Sequence, residues 1–258
     1  MNSYSSRYLD RIAYTGPTEP TAEALRLLHR AHLFAVPFEN LDIALGRKII
    51  CDEDAFFRKI VERRRGGFCY ELNGAFAGLL RELGFAVTLL SACVPRDDGS
   101  YSPEFDHLAL RVDLEEPWLA DVGFGDLCLD PLRLATGAEQ EQEGWKFRIV
   151  SESDSQTVER MERKEGGDGW KRQYSLTQTP RRLDEFADMC HYHQTSPESS
   201  FTRKRVCSLA TADGRVTLSD RTLIITRNGG RSREREERLL GSEPEWEVAL
   251  REHFGVVL

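Results

Sequence analysis

A thiol at the predicted start of a helix constrains this chain more than any other feature. Cys69 directly follows a glycine pair, Gly66 and Gly67. Apolar side chains then recur at helical spacing up to Gly84, a residue type common at helix ends, and they are Leu72, Phe76, Leu79, Leu80 and Leu83. The pattern predicts a helix of roughly four turns that begins near Cys69, directly after a flexible glycine pair.

A cysteine at a helix N-terminus is a candidate nucleophile. Unpaired N–H groups at that end stabilise a thiolate, and with a neighbouring imidazolium they lower a thiol pKa from about 8.5 to roughly 3.5 to 7.5. We therefore expect the thiol of Cys69 to be charged at neutral pH.

Two further residues with catalytic chemistry lie on neighbouring predicted strands. His107 begins one apolar run and Asp121 lies in the next, and the short connection between them predicts a hairpin. Side chains alternate between the faces of a strand, so these two residues share a face if the turn is centred on Leu114 or Glu115. A two-residue loop at Glu115 and Glu116 would place them on opposite faces.

On a shared face, the three side chains predict a catalytic triad. Asp121 would hold His107 in one tautomer, and His107 would take the proton of Cys69 and later deprotonate an incoming nucleophile. A cysteine, a histidine and an aspartate occur in most chains of this length. The interpretation therefore depends on the helix terminus and the hairpin, not on residue types alone.

The order of predicted elements indicates an α+β fold in three parts. Residues 1–85 show helical spacing and form a helical bundle that carries the nucleophile, and residues 86–190 contain short strands typical of an antiparallel β-barrel, with the histidine and the aspartate. Residues 191–258 form an interdomain segment and an α/β lid, with a hairpin that turns at Asn228-Gly229 and a last helix that Ser242 opens.

Composition favours a cytoplasmic enzyme with small-molecule partners. The formal net charge of -8 disfavours nucleic acid or an anionic membrane as a partner, and no apolar run is long enough to span a bilayer. The polar start of the chain is not typical of a signal peptide, and the six cysteines predict reduced thiols rather than a disulfide framework. The segment Cys190-His191-Tyr192-His193 fits no common zinc spacing, so we expect no metal.

Several segments give the chain a resemblance to a known family. They are Tyr8–Ile12, His32 with Val36–Leu41, Arg65–Asn73, His107, Asp121–Gly125, Thr195–Phe201 and Cys207–Leu209. Almost end to end, these segments resemble the arylamine N-acetyltransferases. Members of that family move an acetyl group from acetyl-CoA to arylamines, hydrazines and N-hydroxyarylamines.

The resemblance implies roles for further residues. Phe38, Phe124 and Phe201 match aromatic positions that line the acceptor pocket of the family, and flat apolar walls suit an aryl ring. The family binds the CoA chain in the cleft between barrel and lid. That position implies that Pro103, Glu104 and Thr211 contact CoA. The resemblance also implies a papain- or transglutaminase-like Cys-His-Asp core.

The expected activity is a ping-pong acetyl transfer through an acetyl thioester on Cys69, with acetyl-CoA as co-substrate. Three alternative functions are also compatible with these residues: two enzymes that would use the same triad and one protein in which the triad would be inactive. A thiol hydrolase or transglutaminase-like enzyme would form the thioester from an amide. A polyketide amide synthase would take a carrier-bound acyl group, and a binding module would have an inactive triad.

Overall fold

The computed structural model describes residues 3–162, 167–229 and 232–258 of the chain. Its N-terminal part is helical apart from one short strand, with α1 (Tyr4–Arg11), α2 (Ala22–Ala35), β1 (Phe38–Glu39), α3 (Leu41–Ala44), α4 (Glu53–Phe57), a π-helical turn (Arg58–Glu62) and α5 (Cys69–Glu82). Thr21 and Asp52 start α2 and α4 because their side-chain oxygens accept backbone N–H bonds. Gly84 follows α5 in the left-handed region, at φ +90°. The predicted bundle and the helix at Cys69 are confirmed.

An antiparallel sheet of eight strands occupies the middle of the chain, in the order β5-β4-β3-β2-β9-β8-β7-β6. The strands are β2 (Ala86–Cys93), β3 (His107–Asp113), β4 (Pro117–Ala120), β5 (Leu132–Arg133), β6 (Gln140–Gln142), β7 (Trp145–Glu152), β8 (Ser155–Glu162) and β9 (Gly169–Thr177). The side chain of Gln140 bonds both backbone groups of Arg133, at 2.7 and 2.9 Å, and so links the two edge strands. The sheet is therefore a nearly closed barrel, as predicted.

The C-terminal part adds a second sheet. A 3₁₀ turn (Leu183–Phe186), α6 (Ala187–Thr195) and α7 (Ser200–Arg203) precede β10 (Val206–Thr211), β11 (Gly214–Ser219), β12 (Thr222–Gly229), β13 (Ser232–Leu239) and α8 (Glu243–Phe254). Ser242 caps α8, as predicted. The predicted hairpin is present as β12 and β13, but the predicted turn position is wrong: Asn228 and Gly229 pair with Arg233 and Ser232 at the end of the ladder. The two residues between Gly229 and Ser232 lie outside the described ranges.

Strand β1 belongs to this second sheet, although it lies in the helical part of the sequence. Phe38 pairs with Ser208 of β10, and Phe38 also bridges Gly67 just before α5. Backbone pairing therefore connects the lid directly to the segment that precedes the nucleophile.

Packing joins the helices to the barrel strand that begins at His107. One buried cluster combines apolar side chains of α1, α2 and α5 with Leu108 and Leu110 of β3, and also with Ala210 of β10. Two other clusters fill the barrel and the lid. The cluster that contains the helices thus includes residues on both sides of the predicted domain limits at residues 85 and 190. Those domain limits stay a prediction.

The hairpin of β3 and β4 has the register that places its two polar residues on one face. Leu110 pairs with Ala120 and Asp113 with Pro117, which centres the turn on Glu115. No helix within the described ranges is long and apolar enough to cross a membrane.

Candidate active site

Cys69 is the first residue of α5, and the buried pair of Glu71 and Lys59 fixes that helix start. The N–H of Phe68 donates to Glu71 Oε2 at 3.1 Å. Glu71 in turn lies 2.9 Å from Lys59 Nζ, so the capping carboxylate is neutralised inside the protein. The thiol therefore lies at a rigid helix terminus.

Close packing explains the glycine pair before the thiol. Neither Gly66 nor Gly67 has a positive φ. A Cβ on Gly66 would lie 2.0 Å from the carbonyl oxygen of Pro37, and a Cβ on Gly67 would lie 2.6 Å from the Cβ of Glu71. The prediction that flexibility explains the two glycines is therefore wrong. Their lack of a side chain lets the backbone before Cys69 lie close to β1 and to the side chain of Glu71 that caps the helix.

His107 and Asp121 meet directly across the hairpin. His107 Nε2 lies 2.8 Å from Asp121 Oδ2, and both side chains are buried. A carboxylate only accepts hydrogen bonds, so Nε2 carries the proton and Nδ1 remains the basic ring nitrogen. The rings of Phe124 and Tyr174 pack against the imidazole at centroid distances of 5.2 and 5.1 Å. The aspartate thus sets the tautomer, and the aromatic rings hold the plane of the imidazole.

Two buried residues that had no predicted role position Asp121. Asn73, one turn after Cys69 on α5, donates from Nδ2 to Asp121 Oδ1 at 2.8 Å and accepts from the N–H of Val122 at 2.9 Å. His29 Nε2 accepts from the N–H of Asp121 at 3.1 Å. The sequence signal for both was a polar side chain on the apolar face of a helix.

These contacts keep Asp121 ionised. Burial by itself raises the pKa of a carboxyl, but the imidazole of His107 and hydrogen bonds from Asn73 and from the N–H of Gly123 outweigh it, so the pKa of Asp121 is lowered below its usual value. The carboxylate is therefore an acceptor for His107 at neutral pH.

The thiol behaves differently from the expectation of a charged group. Burial raises the pKa of Cys69 well above its usual value, and hydrogen bonds from the N–H groups of Leu108 and Tyr70 reduce this effect without cancelling it. A lone thiolate is therefore disfavoured at this helix terminus. His107 lines the same cavity as the thiol. A thiolate paired with an imidazolium would be less costly to bury than a lone thiolate.

A cavity of about 370 Å³ opens onto the thiol. Its wall includes Cys69 and His107 together with all three predicted acceptor residues, Phe38, Phe124 and Phe201. The ring centroids of Phe38 and Phe201 are 6.2 Å apart. The structure therefore brings the predicted nucleophile, the predicted base and an aromatic wall together, with Asp121 buried behind the histidine.

The residues expected to contact CoA lie outside this wall, which includes Ser102 and Asp106 on either side of Pro103 and Glu104. Pro103 and Glu104 are exposed, and Glu104 lies 3.3 Å from Arg181. Thr211 ends β10 and donates to Asp213 at 2.9 Å. Their CoA contacts stay a prediction.

Two arginines on the cavity rim were not predicted. Arg96 and Arg203 line the cavity and are exposed to solvent. Arg203 Nε donates to the carbonyl of Ser199 at 3.3 Å, and neither guanidinium forms an ion pair within the described part of the chain. Glu198 lies on the same rim. These are cationic groups with spare capacity to bind an anion at the mouth of the cavity.

The segment Cys190–His193 lies on α6, where Cys190 and His193 are buried. Over the ranges that the structure describes, no group of three or more histidine, cysteine, aspartate or glutamate side chains is arranged to hold a metal ion.

Comparison with known proteins gives a consistent result. Residues 21–258 match a family model described as N-acetyltransferase. The chain is 35% identical to an arylamine N-acetyltransferase, a pineal gland isozyme of Gallus gallus, over 97% of this chain and 93% of that protein. It is 32% identical to the arylamine N-acetyltransferase of Escherichia coli K12, over 99% of this chain and 90% of that protein.

Solved structures have the same fold. The arylamine N-acetyltransferase of Salmonella typhimurium superimposes with a TM-score of 0.90 at 32% identity, covering 99% of this chain and 92% of that one. The Mycobacterium marinum enzyme in complex with CoA superimposes with a TM-score of 0.87 at 34% identity, covering 97% of this chain and 92% of that one.

Proposed function

Because the chain belongs to the arylamine N-acetyltransferase family and moves acetyl groups from acetyl-CoA to arylamines, we propose that it works by two half-reactions through an acetyl thioester on Cys69. One observation carries this proposal. Cys69 and His107 line one cavity, and Asp121 holds the Nε2 proton of His107. That arrangement suits a histidine whose Nδ1 exchanges a proton with the thiol.

In the first half-reaction, His107 Nδ1 takes the proton of Cys69 as the sulfur attacks the acetyl carbonyl carbon of acetyl-CoA. The carbon–sulfur bond to CoA then breaks. The CoA thiolate leaves with the proton that the imidazolium returns, and the acetyl group remains on Cys69. Proton transfer coupled to attack suits a thiol whose pKa burial raises.

In the second half-reaction, the nitrogen of an arylamine attacks the acetyl carbon. His107 Nδ1 takes an N–H proton, the bond to sulfur breaks, and the Cys69 thiolate regains a proton from the imidazolium. The products are the acetylated amine and free enzyme. We propose that Phe38, Phe124 and Phe201 hold the aryl ring beside the thioester, because burial of flat apolar surface favours an aromatic acceptor.

We further propose that Arg96 and Arg203 bind phosphate groups of CoA at the cavity mouth, in addition to the contacts assigned to Pro103, Glu104 and Thr211. A net charge of -8 makes local cations necessary for an anionic donor. All six cysteines are unpaired, which suits the reducing cytoplasm, where we propose that the enzyme acts.

Intact mass spectrometry tests the proposal. Incubation with acetyl-CoA should add one acetyl group, which peptide mapping should locate on Cys69, and addition of an arylamine should remove it. Cys69→Ala should take up no acetyl group, while the matched variant Cys207→Ala should still acetylate, because Cys207 is buried in the lid. Acylation from glutamine or peptide amides, with none from acetyl-CoA, would favour the transglutaminase-like alternative instead.

A further inference from the structure

Two free cysteines from distant parts of the chain lie side by side. Cys51 comes just before α4, and Cys190 lies on α6. The thiol of Cys190 is hydrogen-bonded to the thiol of Cys51, and Cys51 packs against the buried cluster that contains Cys190. Helix α5 and the whole barrel separate the two residues in the sequence. The mechanism proposed above uses neither thiol.

One glutamine side chain holds these two segments together. Gln194 Oε1 accepts the N–H of Ile49 at 2.7 Å, and Gln194 Nε2 donates to the carbonyl of Ile49 at 3.0 Å. The same Nε2 donates to the carbonyl of Cys190 at 2.9 Å and lies 3.3 Å from Cys190 Sγ. The segment that carries Cys51 is therefore fixed against α6 by hydrogen bonds that do not involve Cys51 itself.

The two thiols differ in exposure and in their hold on the proton. Cys51 is half-buried, whereas Cys190 is only 1% exposed. The hydrogen bond with Cys51, together with burial, raises the pKa of Cys190 well above its usual value. Cys190 therefore keeps its proton and donates it to the sulfur of Cys51. An oxidant that enters from solvent meets Cys51 first and finds a second thiol beside it.

The thiol pair lies beside the helix of the nucleophile. Burial raises the pKa of Tyr70, the second residue of α5, well above its usual value, and negative charge on Cys190 or Cys51 adds to this effect. Helix α6 also carries Tyr192 and His193, which line the active-site cavity. A covalent bond between the two sulfurs would therefore tie one wall of the cavity to the segment before α4.

We propose that Cys51 and Cys190 are an oxidation site, at which a peroxide converts the two thiols into a reversible disulfide. Hydrogen peroxide oxidises the Cys51 thiol to a sulfenic acid, and the O–O bond breaks with release of water. The Cys190 sulfur then attacks the Cys51 sulfur, the S–O bond breaks, and the hydroxyl leaves as water with the Cys190 proton. Two thiols are oxidised and one peroxide is reduced to water. A dithiol reverses the reaction by thiol–disulfide exchange.

Packing alone is the competing explanation for the pair. A buried free cysteine normally behaves as a small apolar residue and is chemically inert. Disulfides in cytosolic proteins are mostly transient and redox-sensing, so a pair of this kind is expected to be reduced until an oxidant appears. The two explanations differ in what peroxide does to Cys51, because packing gives it no preferred partner.

Peptide mapping under non-reducing conditions tests the oxidation site. Full-length enzyme is treated with hydrogen peroxide, the remaining thiols are blocked with iodoacetamide, and the digest should contain a peptide that links Cys51 to Cys190. Dithiothreitol, Cys51→Ser and Cys190→Ser should each abolish this link. Cys93→Ser is the matched control, because Cys93 is also a half-buried free thiol, and it should form the link as wild type does. Oxidation of Cys69 is followed on its own peptide.

Thermal unfolding gives a second measurement. The disulfide would close a loop that contains α5 and the barrel, so oxidised wild type should melt several degrees above the reduced enzyme, while neither serine variant should gain from peroxide. Oxidation of Cys51 to a sulfenic or sulfinic acid without the link would refute the site, and so would a link from Cys51 to any other cysteine. Mapping of wild type decides the question even if a serine variant does not fold.

Discussion

The amide nitrogen of Asn73 lies 2.8 Å from Asp121 Oδ1, across the boundary between α5 and the strand that ends at Ala120. The same Oδ1 accepts the N–H of Gly123 at 2.9 Å, while Oδ2 faces His107. Both carboxylate oxygens therefore have assigned donors. This one carboxylate therefore bonds to both the helix that carries Cys69 and the histidine of the hairpin.

Replacing Asp121 by Asn should lower kcat/KM by up to about 10⁴-fold, by analogy with serine triads. The oxygen of the new amide would stay with Asn73 and Gly123, which are both donors, so its NH₂ group would face His107. That contact favours the tautomer with the proton on Nδ1, which then cannot accept the thiol proton. Steady-state kinetics measure the loss. Asp113→Asn, on the exposed end of the same hairpin, is the control, and an Asp121→Asn enzyme within tenfold of wild type would make Asp121 a structural residue only.

Replacing His107 by Asn should shift the alkylation of Cys69 by iodoacetamide to high pH. In the folded protein, burial raises the pKa of the thiol well above its usual value, so without a proton acceptor the reactive thiolate forms only under alkaline conditions. Wild type should label at neutral pH and the variant only as the pH rises. Mass spectrometry of the labelled peptide follows the reaction. Equal labelling rates at pH 7 would mean that the helix terminus activates the thiol without histidine.

Gly123→Ala should disrupt the contact between α5 and the segment after Asp121. A Cβ at this position would lie 2.6 Å from Asn73 Nδ2 and 2.8 Å from Cys69 Cα. We expect a loss of about 1–3 kcal/mol in the free energy of unfolding and a fall in turnover of roughly a hundredfold from misplaced reacting groups.

Urea unfolding and kcat measure these two effects of Gly123→Ala. Gly169→Ala is the matched control, because a Cβ there meets open space. Wild-type stability and turnover in Gly123→Ala would show that the two segments can separate without cost.

Shrinking Phe38 or Phe201 to Ala should slow the second half-reaction more than the first. The aryl ring of the acceptor loses its apolar wall, whereas acetylation of Cys69 needs only the donor. Acetyl-enzyme formation and its decay on addition of an arylamine are measured separately by rapid quench. The reverse pattern, slow acetylation with normal decay, would place these phenylalanines on the donor side of the cavity.

Arg96→Ala and Arg203→Ala should raise the KM for acetyl-CoA, and the difference from wild type should shrink as salt is added, because exposed charges are screened. A donor without phosphates, p-nitrophenyl acetate, should acetylate these variants at the wild-type rate. Arg182→Ala is the control, since this exposed arginine pairs with Asp184 away from the cavity. An equal loss with both donors would assign the arginines to packing of the rim rather than to phosphate binding.

Much of the site followed from local signals in the sequence. Apolar spacing located the helix that begins at Cys69. Strand alternation gave the condition for His107 and Asp121 to share a face, a turn centred on Leu114 or Glu115, and the structure meets that condition with a turn centred on Glu115. These features depend on backbone geometry over a few residues, where side-chain periodicity reports directly on structure. The order of helical, barrel and lid elements followed for the same reason.

Only the tertiary structure decided which distant groups surround the thiol and what they do to it. Asn73 and His29 hydrogen-bond to Asp121, His193 lies beside Asp106, and β1 pairs with β10. These contacts join residues far apart in the chain, so they produce no periodic pattern in the sequence. The charge of the thiol depended on the same packing, since burial outweighed the helix terminus. The sequence by itself determined where the nucleophile, base and orienting carboxylate lie along the chain. The fold determined their solvation and their neighbours, because desolvation depends on all the atoms around a group and not on its local backbone.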